Sequence, residues 1–165
     1  MLTLAQFNAL LAADAINAIA HCVAIPHWQQ AVVAARPYGS REELLHGAAL
    51  LGGAWQLPEL TLALSAHPRI GERAQGDSKE AGLSRNEQAG VGESDAALKA
   101  ALHEGNRAYE ARFGRVFLVR AKGRTAQQML AILQSRLNNS PEQEIETALQ
   151  ALREITQLRL EETLA

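Results

Sequence analysis

Cysteine is nearly absent. Cys22 stands alone, so the chain cannot close an intramolecular disulfide. Its neighbour His21 does not make it a nucleophile, because on one helix the two side chains are expected to point in different directions; a small buried thiol is the expected state. Aromatic residues are scarce as well, 4% against 47% apolar residues overall, so the core must be built from Leu, Ala, Ile and Val. Ala and Leu are also the strongest helix formers.

An excess of one charge is missing too. The 16 basic and 18 acidic residues are interspersed and leave a formal charge of −2, with no footprint for nucleic acid or an anionic membrane. No apolar run approaches the roughly 20 residues of a membrane span. No basic-then-apolar start reads as a signal peptide, and the terminal Glu-Thr-Leu-Ala is not a peroxisomal address, so a soluble cytoplasmic protein is expected. There is no phosphate-cradling glycine loop, dinucleotide fingerprint or nucleophile elbow. His21, His27, His46 and His103 show no convergent ligand spacing, and His67 with Glu72 lacks that of a zinc helix, so no metal is expected.

What the chain does contain is helix-start chemistry. Thr3/Gln6, Ser40/Glu43, Ser84/Glu87, Thr125/Gln128 and Ser140/Gln143 each match a capping box, in which two side chains satisfy backbone amides of the first turn. Pro141 adds a first-position proline, whose missing N–H costs nothing there. The pattern predicts helices over residues 4 to 22, 28 to 35, 41 to 56, 58 to 66, 95 to 113, 126 to 137 and 142 to 164, plus a short one after Ser84. Gly114 should cap the long central helix in the left-handed conformation. Residues 67 to 83 read as irregular, punctuated by Gly71, Gly76 and Gly82. Residues 115 to 121 have strand propensity but no pairing partner, and read as an extended connection. With 165 residues and no long polar linker, the expectation is a single-domain all-α bundle, 1 to 165, of about eight helices.

Three positions stand out as candidates for chemistry. His67 precedes Pro68, which pushes it out of the helical region and places the imidazole at a helix C-terminus, where carbonyls favour its cation. That suits proton transfer, although a His-Pro helix stop explains the pair equally well. Glu87 can serve the Ser84 cap alone, yet the same helix N-terminus offers amides to a carboxylate or urea-like oxygen, with Ser84 and Gln88 beside it. Arg159 falls on the apolar stripe of the last helix with Ile145, Leu149, Leu152, Ile155 and Thr163, so its guanidinium needs a buried carboxylate, a carbonyl or a ligand. Gly52-Gly53, within a helix, reads as a close-packing site. The charges at Glu110, Arg112, Arg115, Glu161 and Glu162 read as solvated faces.

Taken in order, His67-Pro68-Arg69-Ile70-Gly71, Ser84-Arg85-Asn86-Glu87-Gln88-Ala89-Gly90, Asn106-Arg107-Ala108-Tyr109-Glu110-Ala111-Arg112-Phe113-Gly114, Phe117-Leu118-Val119, Lys122-Gly123-Arg124 and Leu158-Arg159-Leu160 resemble the 2-oxo-4-hydroxy-4-carboxy-5-ureidoimidazoline (OHCU) decarboxylases. The resemblance spans essentially the whole chain. It implies an all-helical homodimer that converts this product of hydroxyisourate hydrolysis, within urate breakdown, to (S)-allantoin and carbon dioxide, with no cofactor and no metal. It further implies His67 as the proton-transfer residue and Glu87 as its catalytic partner. Pro68, Ser84 and Gln88 would line the substrate pocket, main-chain groups of Phe117, Leu118, Val119, Arg120 and Ala121 would form its wall, and Arg159 would hold a polar oxygen of the ligand. The chain departs from the family's usual pattern at Arg115 and Val116, where an aromatic residue and proline are common, and at Arg120, where a small residue is. Two other readings remain at this level: a non-catalytic helical binding module, or a related lyase or hydrolase acting on another ureido acid.

Overall fold

The computed structural model describes residues 1 to 70 and 96 to 165. They form α1 (Leu4–Ala9), α2 (Ala12–Ile19), α3 (Pro26–Ala34), α4 (Arg41–Gly52), α5 (Leu57–Leu64), α6 (Ala96–Phe113), α7 (Ala126–Arg136) and α8 (Pro141–Thr163). The architecture is all-α, and among the described residues the one β contact is a parallel bridge between Leu2 and Leu164. The capping boxes at Thr3, Thr125 and Ser140 are reciprocal. At Ser40 only half forms: the Ser40 hydroxyl accepts from Glu43 N, while the Glu43 carboxylate turns to the Gly39 amide. The fifth box, at Ser84, lies outside the described residues. Gly114 closes α6 at φ +72°, in the left-handed region expected of it.

The helix expected over residues 4 to 22 is broken. Leu10 and Leu11 take extended ψ values of 148° and 150°. The break is stabilised by a residue remote in sequence: Arg36 Nη1 donates to the Phe7 and Leu10 carbonyls, both at 2.7 Å, and its guanidinium lies over the Phe7 ring. A charged fork that satisfies carbonyls at the helix end outweighs continuing the helix. Similarly, α4 ends at Gly52, short of the expected residue 56. Arg153 donates to the Gly52 and Trp55 carbonyls at 2.8 and 3.2 Å, which caps that end.

The chain divides into two compact units, Met1–Ala63 with Arg153–Ala165, and Leu64–Leu152. In the first, Trp28 is buried edge-on to Trp55, with ring centroids 6.2 Å apart, and its indole N–H donates to the Ala48 carbonyl. A Cβ at Gly52 would meet the Trp55 ring at 3.6 Å and the Arg153 side chain at 3.7 Å, ordinary contact distances, and Gly53 lies past the end of α4, so the close packing expected of Gly52-Gly53 does not require glycine at position 52. Gln157 to Leu45 O and Arg41 to Glu161 O, each 2.9 Å, tie α4 to the last turns of α8.

The second unit is built around Ile70, Leu102, Tyr109, Phe117, Val119, Ala121, Ala126, Met129 and Leu133. α6 packs closely on α7 because position 105 is glycine: a Cβ there would come within 2.9 Å of a Leu133 methyl, nearer than real Cβ atoms approach. Residues 115 to 121 cross this core without joining a strand, as expected from their lack of a partner. No described helix is long and apolar enough to cross a membrane.

Candidate active site

The site starts at the end of α5. The helix stops at Leu64, two residues before the expected Ala66, and a turn closed by His67 N on the Leu64 carbonyl (3.1 Å) carries the chain into Pro68. His67 is therefore outside the helix, as a pre-proline residue should be. The residue is partly buried, and its Nε2 is shut off from solvent.

The next two residues are clasped by α6. Asn106, itself buried, donates from Nδ2 to the Ile70 carbonyl at 2.7 Å, and one helical turn on, Glu110 takes a forked hydrogen bond from Arg69 at 2.9 to 3.1 Å. The Arg69–Glu110 pair is partly exposed and contributes only about 0 to 1 kcal/mol. The buried amide bond contributes about 0.5 to 1.5 kcal/mol. Neither is large, but together they fix the backbone immediately after His67-Pro68. Ile70 then enters the core that also holds Phe117, Val119 and Ala121, so the histidine segment and residues 117 to 121 are anchored in one unit.

Residues 117 to 121 have an asymmetric backbone. Three of the five carbonyls find partners: Leu118 O accepts from Arg136 Nη1 (2.7 Å), Arg120 O from Arg124 Nη1 (2.9 Å) and Ala121 O from Arg124 N (3.1 Å). The amide hydrogens of Phe117, Leu118, Val119 and Ala121 donate to no described residue, although all four residues are at most 6% exposed. Buried amides are almost always paired, so these are the donors a polar ligand would satisfy. The departure at Arg120 is turned aside, its Nη1 bonding to the Lys122 carbonyl at 2.8 Å. Arg115 keeps Nη1 buried with no hydrogen-bond partner among the described residues.

Behind this segment lies an ion pair that sequence reasoning missed. Arg136 and Glu144 are 6% and 0% exposed; Arg136 bonds Glu144 through Nε (2.9 Å) and Nη2, and its guanidinium sits 4.6 Å from the Phe117 ring centroid. Glu144 also accepts from the Tyr109 hydroxyl and, at 2.9 Å, from Asn139 Nδ2. Burial, reinforced by the carboxylate beside it, pushes the Tyr109 phenol well above its ordinary range. A signal for Arg136 was present in the sequence. It follows Ala126, Met129 and Leu133 on one buried stripe, the same argument that singled out Arg159.

Arg159 is 2% exposed, as the stripe required, and its Nη1 reaches the His21 carbonyl at 3.4 Å. It belongs to the first unit, whereas His67, Pro68 and residues 117 to 121 belong to the second. Ser84, Glu87 and Gln88 lie outside the described residues. Two further expectations need correction. His21 and Cys22 are not on one helix, since α2 ends at Ile19, and Cys22 Sγ lies 3.8 Å from His21 Nε2; the thiol is nevertheless fully buried, as expected. Glu110 and Arg112 are not merely solvated: the first holds Arg69, and the second donates to the Asn139 carbonyl at 2.7 Å.

The described residues thus form an all-α fold that holds His67 just past a helix end and, in the same unit, a core segment in which the Phe117, Leu118, Val119 and Ala121 amides donate to no described residue. The chain belongs to the OHCU decarboxylase family, whose model matches residues 8–161. A crystal structure of OHCU decarboxylase determined in the presence of (S)-allantoin superposes with a TM-score of 0.73 at 26% identity, covering 87% of this chain and 94% of that one. A crystal structure of (S)-allantoin synthase gives the same TM-score at 17% identity, covering 99% of this chain and 54% of the other, a likeness of fold. The uric acid degradation bifunctional protein TTL of Arabidopsis thaliana is 36% identical over 102 residues, 59% of this chain. The match spans 31% of that larger protein's length.

Proposed function

We propose that this chain decarboxylates OHCU to (S)-allantoin without a cofactor, in urate degradation, as a cytoplasmic homodimer and a single domain. The observation that carries the reading is the family match over residues 8–161, joined to the likeness to an OHCU decarboxylase determined with (S)-allantoin present. The held position of His67 and the buried amides of Phe117, Leu118, Val119 and Ala121, which donate to no described residue, support it.

In the proposed reaction the bond from the ring carbon to the substrate carboxylate breaks, carbon dioxide leaves, and the bonding pair moves into the adjacent imine or carbonyl system. A proton adds to the adjacent ureido-bearing carbon on one face and another to the former imine nitrogen, while the hydroxyl on the carbon that held the carboxylate loses its proton and becomes the carbonyl. One carbon dioxide is lost and one net proton gained. His67 delivers or relays the proton, and Glu87 orients the imidazole or holds the substrate hydroxyl. Pro68, Ser84 and Gln88 line the pocket, the amides of residues 117 to 121 bind the amide-rich heterocycle, and Arg159 holds a ligand oxygen. Donors placed in advance at the oxygen where charge accumulates lower the barrier without reorganisation.

Freshly generated substrate tests the reading. It should disappear faster with the protein than in buffer alone, releasing one carbon dioxide per molecule consumed. A rate equal to the buffer rate contradicts the proposal, and binding of allantoin-like compounds without turnover would favour a different ureido acid as substrate.

A further inference from the structure

We infer that Arg124 and Arg136 are positioning residues that aim the Val119 and Ala121 amides at a cyclic ureide. The inference rests on the reaction proposed above.

A trans peptide is planar, so its C=O and N–H point in opposite directions, and holding one fixes the other. Among the described residues the one cis bond is Arg36–Pro37, so the peptides joining Leu118 to Val119 and Arg120 to Ala121 are both trans. Each is held at its oxygen by a guanidinium: Arg136 Nη1 on Leu118 O at 2.7 Å and Arg124 Nη1 on Arg120 O at 2.9 Å. The amide hydrogens at the far ends, those of Val119 and Ala121, are thereby turned away from the two arginines, toward no acceptor among the described residues. Both residues are buried, 5% and 6% exposed, so water does not freely compensate.

The two arginines differ in how they are held. Arg136 is locked by Glu144 and stacked on Phe117, with Tyr109 and Asn139 completing the carboxylate's hydrogen bonds. This is more than stability requires, because a buried ion pair is often no better for stability than apolar side chains of the same shape. What an apolar pair cannot supply is a directed donor to Leu118 O. Arg124, by contrast, is partly exposed in the turn before α7, and the bond to Arg120 O is what its guanidinium supplies. Its removal leaves the core untouched.

Arg124→Met should raise KM about 5- to 10-fold, the loss expected when one amide-to-ligand hydrogen bond is misaimed, with kcat within about twofold of the wild type, the pattern of lost ground-state binding. Arg124→Lys, still able to reach Arg120 O, should restore KM. Arg136→Lys keeps a cation opposite Glu144 but loses the fork, and should raise KM likewise. In parallel, titration of the isotopically labelled protein with hydantoin should move the Val119 and Ala121 amide resonances in the wild type, and less in Arg124→Met and Arg136→Lys.

Folded Arg124→Met and Arg136→Lys variants with wild-type KM would overturn the inference. So would a wild-type titration that leaves both amides unmoved. Movement of both amides in a wild type that does not turn OHCU over would instead leave the inference standing and defeat the proposed reaction.

Discussion

Replacing His67 with alanine should lower kcat/KM for OHCU by about 10²- to 10⁴-fold, the range that a positioned acid or base contributes, with little change in fold. Several features argue for separating these two effects. His67 lies beyond α5, and the backbone around it is held without the imidazole, by Leu64 O, by Asn106 on Ile70 and by Glu110 on Arg69. Removing the imidazole leaves those bonds in place. The loss should appear in kcat and kcat/KM together, since a group that moves a proton acts in the transition state rather than in ground-state binding. Circular dichroism and the denaturant midpoint check the fold, and steady-state kinetics check the rate. Near-normal turnover by a folded His67→Ala protein would remove His67 from the mechanism.

Replacing Glu144 with alanine should destabilise the protein by about 3 to 5 kcal/mol, since it strands a buried guanidinium. The magnitude follows from the number of partners lost. Arg136 loses two bonds to the carboxylate, and Tyr109 and Asn139 lose their acceptor, all where the carboxylate is 0% exposed. Glu144→Gln keeps the size and one acceptor oxygen and should fall between alanine and the wild type. The double replacement Arg136→Met with Glu144→Leu should recover much of the loss, because it removes both charges together. Chemical denaturation of the three variants measures this. A Glu144→Ala protein within about 1 kcal/mol of the wild type would mean the pair is not the buried, mutually dependent unit described.

Glu144 also shows where sequence reasoning runs out. Lying just after Ser140-Pro141, it looks like an acid placed to suit the positive end of a helix, and nothing local marks its reach to Arg136, eight residues earlier, or to Tyr109, 35 earlier. The break between α1 and α2 was hidden for the same reason, since its cause is Arg36. Local patterns fared better. Capping boxes place the starts of α1, α4, α7 and α8, Gly114 ends α6, and the lone strand-like run at 115 to 121 remains unpaired. Hydrophobic periodicity found Arg159 as a buried guanidinium and could have found Arg136 by the same stripe. The His67-Pro68 pair illustrates the middle ground: proline fixes where the helix stops, but the clasp by Asn106 and Glu110 comes from a helix far along the chain.

The handedness of the product tests the central claim most directly. Loss of carbon dioxide in buffer leaves a centre that can be protonated on either face, whereas a proton delivered by one held side chain arrives on one face only. Circular dichroism of allantoin formed from freshly generated OHCU, recorded before the product racemises, should show the (S) enantiomer in excess with the wild-type protein and no excess in buffer or with His67→Ala. Racemic allantoin from the wild-type protein would contradict the account.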